Sequence, residues 1–477
     1  MSAVYSPASS KRTNRLSFEF RLYVWSLLAE PLLFFVVLDQ DITGVNLSYG
    51  RLLQAAFLTM LFLRYASRAS KLVLPNPTYP LYRYFSIYLM LLLLSSAAGL
   101  FFYGSYDLKY PYEDWNLSAF SDAIRGPYSR PLFELIILFY YFGYYIVLPK
   151  YIINTRVKIE YLFKWIIRIL ILMLFLGFID LVMQLTIGWY IPKHSSHIDL
   201  GYVGLRFHAL LGEPRDAVPY IFFALSMVFI WLSVNNDLRV NRKLVVFCVA
   251  ALVMTQSASG IVGLGLTAAG LGFFYLLKSI RRLVLTTVIA IVLTSIVVYL
   301  MSLSPRMMEY YDAFSVVLGV LNEGGELPAV AAFQVSNFLP FWAMWKDINQ
   351  LNLMPVLFGS GVGSVSFVNN NLIRYFVAES SGGLFNPNAQ ITRIIYESGL
   401  IGTFAYIYAI YYPVKIFLKK YTCHHGANLL LFMLLMGASL GHRSTTIFVY
   451  VGIVIVIITN WPHGKGATVR ASSISHA

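Results

Sequence analysis

The chain has 477 residues, of which 58% are hydrophobic and only 12% charged, with a mean hydropathy of +0.67. A water-soluble domain carries about 45–50% apolar and about 25% charged residues, so a soluble enzyme, a disordered protein and a nucleic-acid binder are all excluded. The net charge of +14 has a topological source instead, because Lys and Arg collect in the cytoplasmic loops of membrane proteins.

Apolar runs bounded by charged or turn residues predict spans near 22–38, 52–63, 84–103, 132–149, 161–188, 217–234, 244–257, 261–277, 283–303, 392–414, 427–441 and 444–460. About 12 helices at roughly 20 residues each would take roughly 240 residues, which the composition supplies. The expected fold is an all-α polytopic membrane protein. The first run is interrupted by Glu30-Pro31 and lacks a small-residue cleavage site, so it reads as a first membrane helix rather than a signal peptide. With the N-terminus inside, 24 of the 36 Lys and Arg fall on the inner side and the other 12 outside. That bias puts both termini in the cytoplasm. The organisation that follows is a tail at 1–21, nine spans within 22–303, a large periplasmic loop at 304–391, three spans within 392–460, and a second tail at 461–477.

That large loop is too long for a mere connection. Its stretch AVAAFQVSNFLPFWAMW, at 329–345, is apolar and aromatic, and reads as short helices lying on the membrane surface or dipping into a cavity. Cys248 lies in an apolar run and Cys423 beside a basic one, so no disulfide is expected.

The informative basic residues are those outside. Before the sixth span, Arg206, His208, Glu213, Arg215 and Asp216 crowd a membrane mouth. Glu-Pro before an apolar run is an ordinary helix entry from a solvated loop; the sharper reading is an anion site with a carboxylate beside it, because Arg binds phosphate in a two-pronged fork. Arg374, Arg393, His442 and Arg443 share the outer face. Several arginines around one cavity would suit a pyrophosphate head group. Asp180 and Glu397 fall within spans, where a carboxylate is costly and is a functional hypothesis by default. Arg393 and Glu397 are four apart on one helix face, in the weaker order for such a pair. GSGVGS at 359–364 lacks the Lys-Ser/Thr of a nucleotide loop. The eight histidines show no ligand spacing, so no metal and no cofactor are expected.

Four segments taken in order, RFHALLGEPRDAVPY at 206–220, MTQSASGIVGLGL at 254–266, LFGSGVGSV at 357–365 and NPNAQITRIIYESGLIGTF at 386–404, resemble the bacterial O-antigen polymerase and O-antigen ligase superfamily. The resemblance implies a metal-independent glycosyltransferase of the membrane-embedded GT-C-like type, acting at the periplasmic face of the inner membrane. Its partners would be an undecaprenyl-pyrophosphate-linked glycan donor and acceptor, the lipid bilayer, and a chain-length regulator. Ligases of the superfamily carry a His-Asn pair eleven residues before the first Gly of a Gly-x-x-Gly. Counted from Gly399, that pair falls here on Asn388-Ala389, and the Ser-Arg-Gly of the mid-chain turn is replaced by Ser257-Ala258-Ser259-Gly260. Both departures favour a polymerase over a ligase; a transporter or flippase for the same lipid-linked sugar is the third reading. Glu213, Arg215 and Arg206 are the expected catalytic set, with Glu397 as second candidate for the base. Arg374, Arg393, Asn388, Glu397, His442 and Arg443 are the expected substrate-binding residues.

Overall fold

The computed structural model describes residues 16–29, 36–38, 47–68, 80–103, 129–188, 206–207, 214–235, 242–257, 260–261, 263–268, 339–364 and 390–421. It also describes scattered positions between 284 and 319 and at 434, 437 and 452. Helix α1 covers Phe18–Ala29, and residues 30–35 lie outside the described residues. The predicted span 22–38 is corrected at its end, where Val36–Leu38 is a strand (β1) paired antiparallel with β2 (Leu47–Ser48), Val36 opposite Ser48 and Leu38 opposite Leu47.

From there the predicted runs become helices. They are α2 (Tyr49–Arg68), α3 (Pro80–Tyr103), α4 (Ser129–Tyr141), α5 (Leu148–Ile152), α6 (Arg156–Ile187), α7 (Pro214–Asn235) and α8 (Arg242–Met254). Within the large loop lie two short helices, α9 (Leu339–Asn349) and α10 (Leu353–Phe358), and the tenth run lies within α11 (Gln390–Tyr421). The runs at 261–277, 283–303, 427–441 and 444–460 lie outside the described residues apart from scattered helical positions. Among the described residues, Pro131–Ile152, Arg156–Ile187 and Ile391–Ile416 are long and apolar enough to cross a membrane, and Arg83–Gly99, Ala217–Trp231 and Lys243–Met254 are shorter apolar helices. The protein is a multi-pass, nearly all-helical membrane protein.

Between α4 and α5 the chain makes a π-helical turn, Phe142–Val147, in which the Leu148 N–H reaches back five residues to the Gly143 carbonyl. Tyrosines pack around it. The Tyr140 and Tyr144 rings stack at 5.5 Å, as do Tyr141 and Tyr145. Polar groups buried with them need partners, and find them across helices. Tyr23 Oη donates to the Tyr144 carbonyl (2.9 Å), and Gln54 links Tyr145 Oη and Tyr140 Oη at 2.8 Å each. Gly452 lies so close that a Cβ there would come within 2.3 Å of the Tyr145 carbonyl oxygen.

Helices α3 and α11 run antiparallel. Tyr84 packs against Tyr408 and Tyr412, Tyr88 against Tyr406, and Ser95 reaches the Glu397 backbone. This contact, together with α10, frames the candidate site.

Candidate functional site

Helix α11 is interrupted at Gly399, whose φ of 64° and ψ of −173° lie outside helical space. Such a break frees the carbonyls of the turn before it, and buried carbonyls must be paired. The loop 359–364 and α3 do this. The Ser360 N–H donates to the Tyr396 carbonyl and the Gly361 N–H to the Glu397 carbonyl, both at 3.0 Å. Ser95 Oγ donates to the same Glu397 carbonyl at 2.5 Å. The approach is backbone on backbone. A Cβ on Gly359 would lie 2.3 Å from the Glu397 carbonyl oxygen, and one on Gly399 would lie 2.4 Å from the Gly359 nitrogen. Both glycines also hold positive φ, so the chemistry of the contact requires glycine twice over.

The loop's other amides are engaged as well. Gly359 N–H donates to the Pro355 carbonyl, Val362 N–H to Ser96 Oγ, Gly363 N–H to Glu397 Oε1 and Ser364 N–H to the Gly361 carbonyl. Every N–H from 359 to 364 therefore has an internal acceptor. The Gly-rich phrase is a clamp on α11 rather than an open cradle for phosphate.

What the clamp holds is a carboxylate. Glu397 lies nearly two turns into the span Ile391–Ile416 and is 5% exposed. Its Oε1 accepts from Gly363 N–H and from Arg393 Nε, each at 2.8 Å. Arg393 is itself buried and turns its Nη2 to Glu134 Oε2, one turn into the neighbouring span Pro131–Ile152. One guanidinium thus faces two carboxylates. With both ionised, their charge offsets that of Arg393, which offers hydrogen bonds rather than surplus positive charge. Glu397 Oε2 accepts no hydrogen bond from the described residues.

The other predicted residues fall as follows. Arg206 donates from Nε to the Thr255 carbonyl (3.0 Å) and from Nη2 to the Gln256 carbonyl (3.3 Å). These carbonyls follow the end of α8, so the guanidinium braces the Ser-rich turn; Gln256 there holds a positive φ of 47°. Arg215 and Asp216 belong to the first turn of α7. Glu213, Arg374, Asn388, His442 and Arg443 lie outside the described residues. Asp180 is fully buried in α6 and accepts from Gln184 Nε2 at 2.6 Å, one turn along the same helix. Glu134 escaped the sequence reading, although a carboxylate inside LFELIILF is the signal that singled out Asp180 and Glu397.

Residues 244–407 match the family model described as O-antigen ligase. Over that stretch, about a third of its length, the chain is similar to the O-antigen ligase family. No curated protein matches it. The matched segment runs from α8 through α10 into α11, and so contains the Gly359–Gly399 contact, Arg393 and Glu397. Glu134, Ser95, Ser96 and Arg206 precede it, and complete or brace the site from helices outside the matched O-antigen ligase segment.

Proposed function

We propose that the chain is the polymerase of undecaprenyl-pyrophosphate-linked oligosaccharide repeat units, acting without a metal at the periplasmic face of the bacterial inner membrane, with about 12 spans and both termini in the cytoplasm. The superfamily's members are glycosyltransferase-like enzymes that handle lipid-linked glycans, and the O-antigen ligase segment covers the buried Arg393–Glu397 pair. Support for the topology comes from helix directions: the starts of Pro131–Ile152 and Ile391–Ile416 meet through Glu134 and Arg393, as an alternating order of spans requires.

The observation that carries the catalytic reading is Glu397, fixed through Oε1 by two donors while Oε2 accepts from none of the described residues. In the transfer, an acceptor-sugar hydroxyl attacks the anomeric carbon of the donor sugar and gives its proton to a carboxylate. The bond from that carbon to the pyrophosphate oxygen breaks, and the lipid pyrophosphate leaves with the electron pair. A base must lie within hydrogen-bonding reach of the hydroxyl, and preplaced donors must meet the charge growing on the leaving group. Glu397 suits the first task, with Glu213 as the second candidate. Arg215, Arg374 and Arg443 suit the second, with Arg206 shaping the turn beside them and His442 and Asn388 contacting sugar.

Asn388 stands where superfamily ligases carry histidine, and asparagine cannot take up a proton near neutral pH. This favours elongation over ligation. The ligase is the second reading, favoured by the description of the matched family. The test uses purified protein in nanodiscs with lipid-linked repeat units, EDTA and no nucleotide. Longer lipid-linked chains are expected; transfer only when a lipid A core acceptor is added would establish the ligase instead.

A further inference from the structure

Helix α9 ends in an unusual cap. The Leu351 N–H donates to the Ile348 carbonyl (3.0 Å) and the Asn352 N–H to the Asp347 carbonyl (2.8 Å), the paired bonds of a Schellman motif. That motif places one residue in left-handed geometry, where glycine or asparagine avoids the clash between Cβ and carbonyl. Here the residue is Leu351, at φ 57°. Asn349, Gln350 and Asn352 flank it, so a residue suited to the conformation and to water is next door. Leucine occupies the position regardless, with 83% of its surface exposed. A strained residue of this kind points to a use.

Its surroundings say which. On α9, Phe341, Trp345 and Ile348 recur at helical spacing on one exposed face, and on α10 the exposed side chains are Leu353, Met354, Leu357 and Phe358. The side toward the protein is closed by Met344, Pro355 and Val356, which are buried. The backbone of Leu357 touches Gly399 of α11, and just beyond it Leu400, Ile401 and Phe404 are exposed on a helix apolar enough to span the bilayer. The apolar edge of α9–α10 therefore continues a surface that faces lipid.

We infer that the α9–α10 hairpin is inserted among the acyl chains of the membrane, with Leu351 at its tip, and that this anchor holds the loop that clamps Glu397. The occupant of the exposed edge is lipid hydrocarbon. The mechanical link is short: α10 leads directly into Gly359–Ser364, whose Gly363 N–H fixes Glu397 Oε1. A residue buried in hydrocarbon gains from every apolar carbon it carries, which accounts for leucine where water would select glycine or asparagine.

The experiment uses the full-length protein in nanodiscs of phosphatidylethanolamine and phosphatidylglycerol, in a Cys248→Ala, Cys423→Ser background. Single cysteines are placed by Trp345→Cys, Leu351→Cys and Met354→Cys, with Ile171→Cys in mid-α6 as the lipid reference. Each carries a nitroxide, and collisions with dissolved oxygen and with a water-soluble nickel chelate are compared by power saturation. The three hairpin positions are expected to favour oxygen severalfold, as the reference does. Preference for nickel at position 351 would overturn the inference, and so would poor access to both, which would mean a protein partner or a second copy. Leu351→Gly removes the strain without disturbing the cap. It is expected to leave detergent-solubilised protein at least as heat-stable while raising nickel access at the Met354→Cys label severalfold; an unchanged label would refute the anchoring role. None of these outcomes depends on whether the enzyme elongates or ligates.

Discussion

Replacing Gly399 by alanine tests the backbone contact on which the site rests. The new Cβ would lie 2.4 Å from the Gly359 nitrogen and 2.5 Å from the Leu357 carbonyl. No side-chain rotation relieves either, because both neighbours are backbone. An ordinary contact needs about 3.4 Å, so α10 and its loop must retreat by about 1 Å. The bonds from Ser360 and Gly361 at 3.0 Å and from Gly363 at 2.8 Å would then stretch past hydrogen-bonding distance. Overpacking costs about 1–3 kcal/mol and a left-handed alanine about 1–2 kcal/mol. Three weakened hydrogen bonds add about 0.5–1.5 kcal/mol each. Movement that relieves the clash is what breaks the bonds, so the contributions overlap, and we expect a net loss of about 3–5 kcal/mol. Gly143→Ala is the matched control: nothing lies within 4 Å of its added Cβ, and glycine in a helical segment is about 1 kcal/mol worse than alanine. The assays are thermal unfolding in detergent and the polysaccharide ladder made by cells carrying each variant. Gly399→Ala should unfold at clearly lower temperature and shorten or erase the ladder, while Gly143→Ala matches the parent. Equal behaviour of the two variants would refute the interlock.

Glu397→Gln keeps shape and most hydrogen bonding but removes the proton acceptor, so it should insert normally and elongate at least about 10²-fold more slowly, the lower end for general-base loss; normal elongation would pass the role to Glu213, whose Gln variant is tested in parallel. Arg393→Ala removes the cationic partner of buried Glu397 and should cost about 3–5 kcal/mol, seen as low yield of folded protein, with Arg393→Lys recovering only part because it lacks the fork. Arg206→Ala removes the brace on the 255–257 turn and should cripple polymer formation in protein that still inserts, whereas a normal ladder would detach the turn from the site. Asn388→Ala should weaken elongation by a modest factor, comparable to one lost hydrogen bond of about 0.5–1.5 kcal/mol, and abolition would imply a larger task for that side chain.

Span positions were legible in the sequence because apolar length is a local property. The first run shows the limit of that rule, since 22–38 is apolar enough throughout, yet Val36–Leu38 at its end pairs as β1 with β2. Arg393 and Glu397 were legible as a pair, being four apart on one helix. Their third partner, Glu134, is 259 positions away from Arg393, and only the packing of two spans reveals it. The GSGVGS phrase announces tight backbone geometry, but whether its amides face a ligand or a helix depends on the break at Gly399. Arg206 shows the converse, because arginine at a membrane mouth suggests phosphate, while its described donors meet the carbonyls of Thr255 and Gln256.

The π-helical turn at Phe142–Val147 sets the azimuth of everything on α4. An α-helix advances about 100° per residue, and a π-turn holds one residue more than an α-turn would. Removing that residue would swing the start of the span by about 100° relative to α5. Glu134 lies on the far side of the turn from Lys150, so it would rotate away from Arg393 with no change in its own neighbours along the helix. The charge balance around Glu397 therefore depends on helical phase inherited from a tyrosine-packed insertion in another span. A related chain that lacked the extra residue would have to find its second carboxylate at a different position on that helix, or do without one.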